Sequence, residues 1–389
     1  MVKKKKMLIL GRGNEIGGGT EYIITIINML REKFDVEIHM NYGKEEVRQN
    51  YQKYFDDIIF HKTNIVRSIN FFKDLSSLKE LVSLMRKEKF DVVHTNTSKS
   101  GVLGRFAAKI SRVPFVFHTV HGFAFHEQSS KISIKIYSFI EKICSKFCDY
   151  IVTVSDFHRN WAIELGIAPK DKIISIPNGL DPNRIRPMKE RDEVRTELGI
   201  AQEEVAIFTI GRLAKQKGLE YLLEAIALLN KDDLQSNYKF YIAGSGELES
   251  ELKNKARQLN IEHKLKFLGF RKDVNNLLEA ADILVIPSLW EGLSIALLEA
   301  MAAKKAIICT NIGSNLTVVR NGKEAIMVNC KDSKGIKENL MKLLLNKENL
   351  RVKLSSNAYQ RFNEEFNKDK MIDRYFRFYK EKVKISEKI

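Results

Sequence analysis

The chain has 389 residues, 44% hydrophobic and 29% charged, with a formal net charge of +16. This composition excludes a disordered or low-complexity tract, and the length fits two domains of roughly 150 to 200 residues each. No apolar run reaches the ~18 residues that a membrane-crossing helix needs, and Cys144, Cys148, Cys309 and Cys330 form no CxxC pair and have no histidine at metal-ligand spacing, so they read as free thiols of a cytosolic protein.

The start, "MVKKKKMLIL", is basic, but its apolar segment stops well short of the ~7 to 15 residues of a signal peptide, so no export is expected and the Lys3 to Lys6 run reads as a solvated tail. Short β-branched runs then alternate with longer helical patterns. In the first half the strands read as "KMLIL", "FDVEIHM", "FDVVHTN", "FVFHTVH", "DYIVTVS" and "KIISIPN". The second half gives "VAIFTIG", "KFYIAGSG", "KLKFLGF", "DILVIPS", "AIICTN" and "AIMVN". Alternation of this kind predicts an α/β chain with two doubly wound Rossmann-like domains. Between the halves, "IPNGLDPNRIRPM" carries Pro177, Pro182 and Pro187, half of the six prolines. It places a linker at about residues 178 to 190, where a hinge would let two ligand-binding rims face each other across a cleft.

Many strands end in glycine or polar residues, and ligands of open parallel sheets bind outside those ends. The first loop, "GRGNEIGGGTEY", fails the dinucleotide fingerprint because Ile16 stands where the last glycine belongs. Gly17, Gly18 and Gly19 still suit an anion at a helix N-terminus, although a plain tight turn would use the same residues. "FHTVHGFAFHE" brings His118, His121 and His126 close together without an acid to complete a metal site. Three readings stay open there, a metal site, structural histidines or a His121 that hydrogen-bonds substrate, the last being preferred. In "FTIGRLAKQKG", Arg212 leaves a strand and Lys217 follows five residues later, a pair able to hold a diphosphate if the loop is not merely solvated.

"WEGLSIALLEA" sets Glu291 and Glu299 eight positions apart in an apolar run. A helix starting near Leu293 or Ser294, with Ser294 as N-cap, splits them: Glu291 lies in the loop at the helix mouth and Glu299 lies inside. The N-H groups of Gly292, Leu293 and Ser294 then stand at the positive end of a helix dipole. A diphosphate there, with a hydroxyl-bearing group on each side, describes a nucleotide-sugar.

These segments, with "HTNTSKSG", "TVHGF", "IPNGLD", "AGSGEL", "FLGFRKDV" and the final "DKMIDRYFRFYKEKV", resemble over nearly the whole chain the retaining GT-B-fold glycosyltransferases of family 4, which carry an E-x7-E motif. The resemblance implies an acceptor-binding domain over 1–180, a nucleotide-sugar-binding domain over 181–365, and a last helix over 366–389 that returns to the first domain. It further implies that Arg212 and Lys217 bind the donor diphosphate and that Glu299 binds the ribose. Glu291, with the amides of Gly292, Leu293 and Ser294, would hold the donor sugar and phosphates. His121 would meet the donor sugar at the reacting edge, Gly18 would approach the phosphate, and the backbone near Phe270 and Arg271 would hold the base. One stretch departs: where the family often shows an Asp, a Gly-Gly and a Pro-Glu, this chain reads Asn311 to Thr317, "NIGSNLT".

The implied activity is a metal-independent hexosyl transfer with retention, using a UDP-sugar by preference. No D-x-D occurs in the chain, so no metal is expected on the diphosphate, and no resident cofactor is expected because the nucleotide-sugar is a substrate. Ser98 and Lys99, at a predicted helix start, suit an acceptor sugar or phosphate. Residues 1–180 hold 28 basic and 19 acidic residues, an excess of nine positive charges. The basic, apolar segments "IVRSINFFKDLSSLKELVSLMRK" and "SSKISIKIYSFIEKICSKF" suggest peripheral contact with the anionic inner face of the cell membrane and an undecaprenyl-diphosphate-linked saccharide acceptor. Their alternative is an ordinary amphipathic helix packed on a sheet. A nucleic-acid partner is not expected, since neither stacked aromatics nor a helix-turn-helix accompanies the charge. Two rival functions remain, a GT-B nucleotide-sugar epimerase and a non-catalytic nucleotide- or lipid-binding protein.

Overall fold

In the computed structural model, which describes residues 4–11, 13, 18–65, 70–232, 237–345 and 347–388, the chain divides into two compact units. One is Met1–Asn178 with Asp369–Ile389, and the other is Gly179–Lys368.

The first unit runs β1 (Lys5–Leu10), α1 (Gly18–Lys33), β2 (Val36–Tyr42), α2 (Glu45–Gln52), β3 (Ile59–Lys62), α3 (Phe71–Glu88), β4 (Val92–Asn96), α4 (Ser98–Ile110), β5 (Phe115–Val120), α5 (Lys131–Ser145), β6 (Tyr150–Thr153), α6 (Asp156–Glu164) and β7 (Ile173–Ser175). Its sheet has the order β3-β2-β1-β4-β5-β6-β7, parallel throughout. The period-two alternation of β1 feeds both faces: Met7 and Ile9 join the core under α1, and Leu8 and Leu10 join the core under α3 and α4. The strand β3 is absent from the expected set. It has four residues at the sheet edge, with Ile59 44% exposed and a lysine at its end, too short and too polar to stand out as a buried run.

The second unit runs α7 (Arg191–Leu198), β8 (Val205–Ile210), α8 (Leu219–Leu229), β9 (Tyr238–Ala243), α9 (Glu249–Gln258), β10 (Leu265–Gly269), α10 (Val274–Ala280), β11 (Ile283–Ile286), α11 (Ile295–Ala302), β12 (Ala306–Thr310), α12 (Gly313–Val318), β13 (Ile326–Val328), α13 (Ser333–Leu345) and α14 (Lys347–Arg361). Its parallel sheet has the order β10-β9-β8-β11-β12-β13. In each sheet the order reverses beside the first strand, between β1 and β4 and between β8 and β11. Loops leaving those strands splay apart and open a crevice, which is where ligands of doubly wound sheets bind.

The last helix, α15 (Lys368–Phe378), spends its apolar stripe on the first unit. Met371, Tyr375, Phe378 and the following Tyr379 are buried with Phe34 and Phe117, and the Tyr22 hydroxyl donates to that of Tyr375 at 2.7 Å. Cys144, Cys148 and Cys309 are buried free thiols and Cys330 is partly exposed. Burial pushes the Cys309 thiol up to about 12 and that of Cys144 up to about 11. No helix among the described residues is long and apolar enough to cross a membrane.

Candidate functional site

The second unit's rim is built where β8 and β11 end. Ser294 caps α11: its side chain accepts from the Leu297 N-H. Among the described residues the N-H groups of Gly292, Leu293 and Ser294, and of the first helical residues Ile295 and Ala296, donate to nothing. This is an anion-binding surface in waiting, a row of free donors at the positive end of a helix.

Glu291 stands beside it, held from three sides. Ser288 Oγ donates to its Oε1 at 2.9 Å, Gln216 Nε2 to its Oε2 at 2.9 Å, and Lys217 Nζ lies 2.5 Å from Oε1. With a side chain 8% exposed, this carboxylate is fixed by charge-assisted bonds and is not free to reorient. Lys217 can come this close because Gly218, at φ +58°, lets its loop pass against the Pro287 carbonyl, only 2.3 Å from where a Cβ would stand. Arg212 is exposed and forms no ion pair among the described residues.

Glu299 lies in the second turn of α11, and among the described residues its carboxyl takes no hydrogen bond. Burial raises it to about 7, against the smaller opposing pull of Arg184 and Lys217. The sign of the linkage follows. A carboxyl whose folded value is raised contributes stability below its unfolded value, 4.5, and loses it as pH climbs through about 7. Glu299→Gln is therefore expected to stabilise the ligand-free chain at pH 8 by about 1 to 2 kcal/mol, allowing for partial exposure, and not at pH 4.5. Denaturant unfolding at the two pH values measures this, and equal stability of variant and wild type at pH 8 would refute it.

Next to Arg212 opens a cavity of about 470 Å³, lined among others by Gly211, Gly244, Ser245, Phe270 and Arg271. Phe270 is 67% exposed, a flat apolar face at the edge. The Arg271 guanidinium is occupied by Asp273, with Nε–Oδ1 at 2.8 Å and Nη2–Oδ2 at 2.6 Å, so its backbone and not its charge is available. The divergent loop Asn311 to Thr317 folds into α12, which buries Ser314 and Asn315. Among the described residues Ser314 Oγ and Asn315 Oδ1 have no partner, while Asn315 Nδ2 donates to the Thr310 carbonyl at 2.9 Å.

In the first unit His121 follows β5, Nε2 3.2 Å from Asn96 Oδ1, its ring edge-on to Tyr22 with centroids 4.6 Å apart. Burial lowers it to about 4, so the imidazole is neutral near pH 7. His94 and His118 are also pushed well down by burial and bond to Thr119 and Thr95, at 2.8 and 2.9 Å. They are structural, and among the described residues no group of three or more His, Cys, Asp or Glu could hold a metal ion. Histidines depressed in the fold contribute stability above their unfolded value, 6.5, and lose it as pH falls towards 4. The first unit should thus weaken between pH 6.5 and 4, the reverse of the Glu299 trend.

Ser98 opens α4 as expected, but Lys99 is engaged, its Nζ 2.5 Å from Asp74 of α3. Ser100, the third residue of the helix, is buried. Its Oγ is tied to the Asn96 carbonyl and to Thr97 Oγ1, while Thr97 sits at φ +62°, a strained value for a β-branched residue. Gly18 is the first residue of α1, and residues 12 and 14–17 of the glycine loop lie outside the described residues. Four residues that serve these sites escape the sequence reading: Gln216 and Ser288 around Glu291, and Asn96 and Tyr22 around His121. Ser288 precedes Glu291 by three positions, and Gln216 adjoins Lys217, so neighbourhood alone could have found two of them.

Two family models match the chain: Glycosyltransferase Family 4 over residues 16–184, and Glycosyl transferases group 1 over residues 190–361. An Escherichia coli UDP-Gal:alpha-D-GlcNAc-diphosphoundecaprenol alpha-1,3-galactosyltransferase is 36% identical over 284 residues, 72% of this chain and 73% of the relative. A Campylobacter jejuni alpha-1,4-N-acetyl-D-galactosaminyltransferase, whose named acceptor is a GalNAc-containing saccharide on PP-undecaprenol, is 28% identical over 89% of this chain and 90% of its own length. Anabaena HepE, solved in complex with UDP and glucose, superimposes with a TM-score of 0.80 at 19% identity, covering 96% of this chain and 98% of its own.

Proposed function

Since the chain belongs to the family 4, group 1 glycosyltransferases of GT-B fold, we propose that it is a retaining enzyme that moves a sugar from a UDP-sugar to a saccharide carried on undecaprenyl diphosphate. The observation that carries this reading is the row of free amides from Gly292 to Ala296, flanked by Glu291 at the mouth and Glu299 one turn in. The donor diphosphate would lie on those amides and on Arg212. Lys217 has three hydrogens to donate and can keep one on Glu291 while giving another to the phosphate. Glu299 would accept from the ribose hydroxyls, with the base against Phe270 and the backbone of Arg271 in the 470 Å³ cavity.

Bond breaking at the anomeric carbon sends the electron pair onto the departing nucleoside diphosphate. Fixed donors already aimed at that charge lower the barrier without reorganising, the role of Arg212, Lys217 and the α11 amides. Glu291, immobilised by Ser288 and Gln216, orients the donor sugar and steadies the oxocarbenium-like centre electrostatically. The acceptor hydroxyl enters from the face the diphosphate leaves and gives its proton to the departing phosphate oxygen, so the glycosidic bond forms with the anomeric configuration kept. In the first unit, neutral His121 would offer a sugar a hydrogen-bonding edge, and Ser98, with Lys99, would meet the acceptor. No step is assigned to a divalent metal.

A panel of labelled UDP-, GDP- and ADP-sugars, incubated with and without a membrane lipid extract and with chelator present, tests the reading. Label entering the lipid fraction from a UDP-sugar is expected, unchanged by chelator. Free sugar or an epimer formed without lipid would favour the epimerase, no turnover with any donor would favour a binding protein, and loss of turnover with chelator would overturn metal independence.

A further inference from the structure

Helix α5 carries apolar side chains on two faces, one inward and one exposed. A crossover helix normally turns its apolar stripe to the sheet and its polar one to water. Here Ile134 and Tyr137 pack on the core beside buried Ser138, Glu141, Cys144 and Ser145, yet Ile132, Ile136, Phe139 and Ile140 are 73%, 54%, 61% and 36% exposed. Glu141 is the helix's only carboxylate, and it is sealed underneath: Arg105 of α4 donates to it through Nη2 at 2.8 Å, with Arg105 Nε on the Gly101 carbonyl at 2.9 Å. A buried ion pair is a costly way to dock a helix. It holds that mixed face inward and leaves the second apolar face exposed.

At about 100° per residue the four exposed apolar side chains share one arc of roughly 100°, and Lys135, Lys142 and Lys146 border it on one edge. Helix α4 packs between α3 and α5, and the first turn of α3 adds Phe71 and Phe72, 74% and 80% exposed. Both aromatic and aliphatic clusters therefore belong to the helical layer that contains the start of α4 at Ser98. The one-signed border and the lack of any exposed carboxylate on α5 match an anionic surface, and no described helix is able to cross a membrane.

We infer that this face seats the first unit on an anionic lipid bilayer. Ile132, Ile136 and Phe139 enter the boundary between headgroups and acyl chains, and the bordering lysines meet lipid phosphates. Its purpose rests on the lipid-linked acceptor proposed above, because the surface would bring the start of α4 to the height of a membrane-anchored diphosphate.

Co-sedimentation of the full chain with vesicles tests the surface with neither donor nor acceptor present. Binding to phosphatidylglycerol vesicles is expected to exceed binding to pure phosphatidylcholine by at least about tenfold. An Ile132→Ser, Ile136→Ser, Phe139→Ser variant should lose about tenfold of the former with an unchanged melting temperature. It should also lose transfer to a vesicle-embedded acceptor while keeping kcat/KM on a short-chain, water-soluble one. Equal binding by variant and wild type, or equal binding to both vesicle types, would overturn the inference. So would a variant that changes oligomeric state and leaves vesicle binding intact, since the face would then cover a second copy. Vesicle binding without turnover on any acceptor would sink the transferase reading and leave the surface standing.

Discussion

Glu291→Gln is expected to lower kcat by about 10²- to 10³-fold, the scale seen when a preorganised electrostatic group is removed from an active site. The substitution keeps shape and the Ser288 contact but removes the charge, and can set an amide NH2 against the Lys217 ammonium at 2.5 Å. Lys217, 22% exposed, can turn to water, so the chain should still fold. Initial rates of UDP release with lipid acceptor, read beside the melting temperature, separate lost chemistry from lost structure. A variant with full turnover would remove Glu291 from the site.

Gly244→Ala should be the most damaging single methyl in the second unit, costing about 3 kcal/mol or more. At φ +150° the added Cβ would stand 1.8 Å from the Gly211 carbonyl oxygen, and that carbonyl is backbone that cannot rotate away. The two strands β8 and β9 would have to part where they wall the cavity beside Arg212, so nucleotide affinity should fall with stability. Gly199→Ala is the control. Its φ is +70° but nothing lies within 4 Å of the new Cβ, so only the left-handed strain of about 1 kcal/mol remains. Denaturant unfolding of the pair reads the difference, and equal costs would mean that the close approach at Gly244 is not rigid.

What the sequence makes legible is whatever depends on period and on chain neighbours. The buried central strands, the Ser294 cap and the split of Glu291 from Glu299 all follow from hydrophobic runs ending at turn residues. The edge strand β3 is invisible because one face of it is wet and its run is four residues. Ion pairing is equally invisible: nothing near Lys99 announces Asp74, which comes from another helix, and nothing near Glu141 announces Arg105. The segment around α5 shows why periodicity alone misleads. An apolar stripe of helical spacing says that a face is to be covered, and only the packing shows that the covered face is the mixed one, with Ile134 and Tyr137 beside Ser138 and Glu141.

The structure of the chain with an intact UDP-sugar bound addresses the central claim most directly. The account predicts the diphosphate on the amides of Gly292, Leu293 and Ser294 with Arg212 and Lys217, the ribose hydroxyls on Glu299, and the base beside Phe270. A nucleotide bound elsewhere, or a diphosphate that leaves those amides bare, would contradict it.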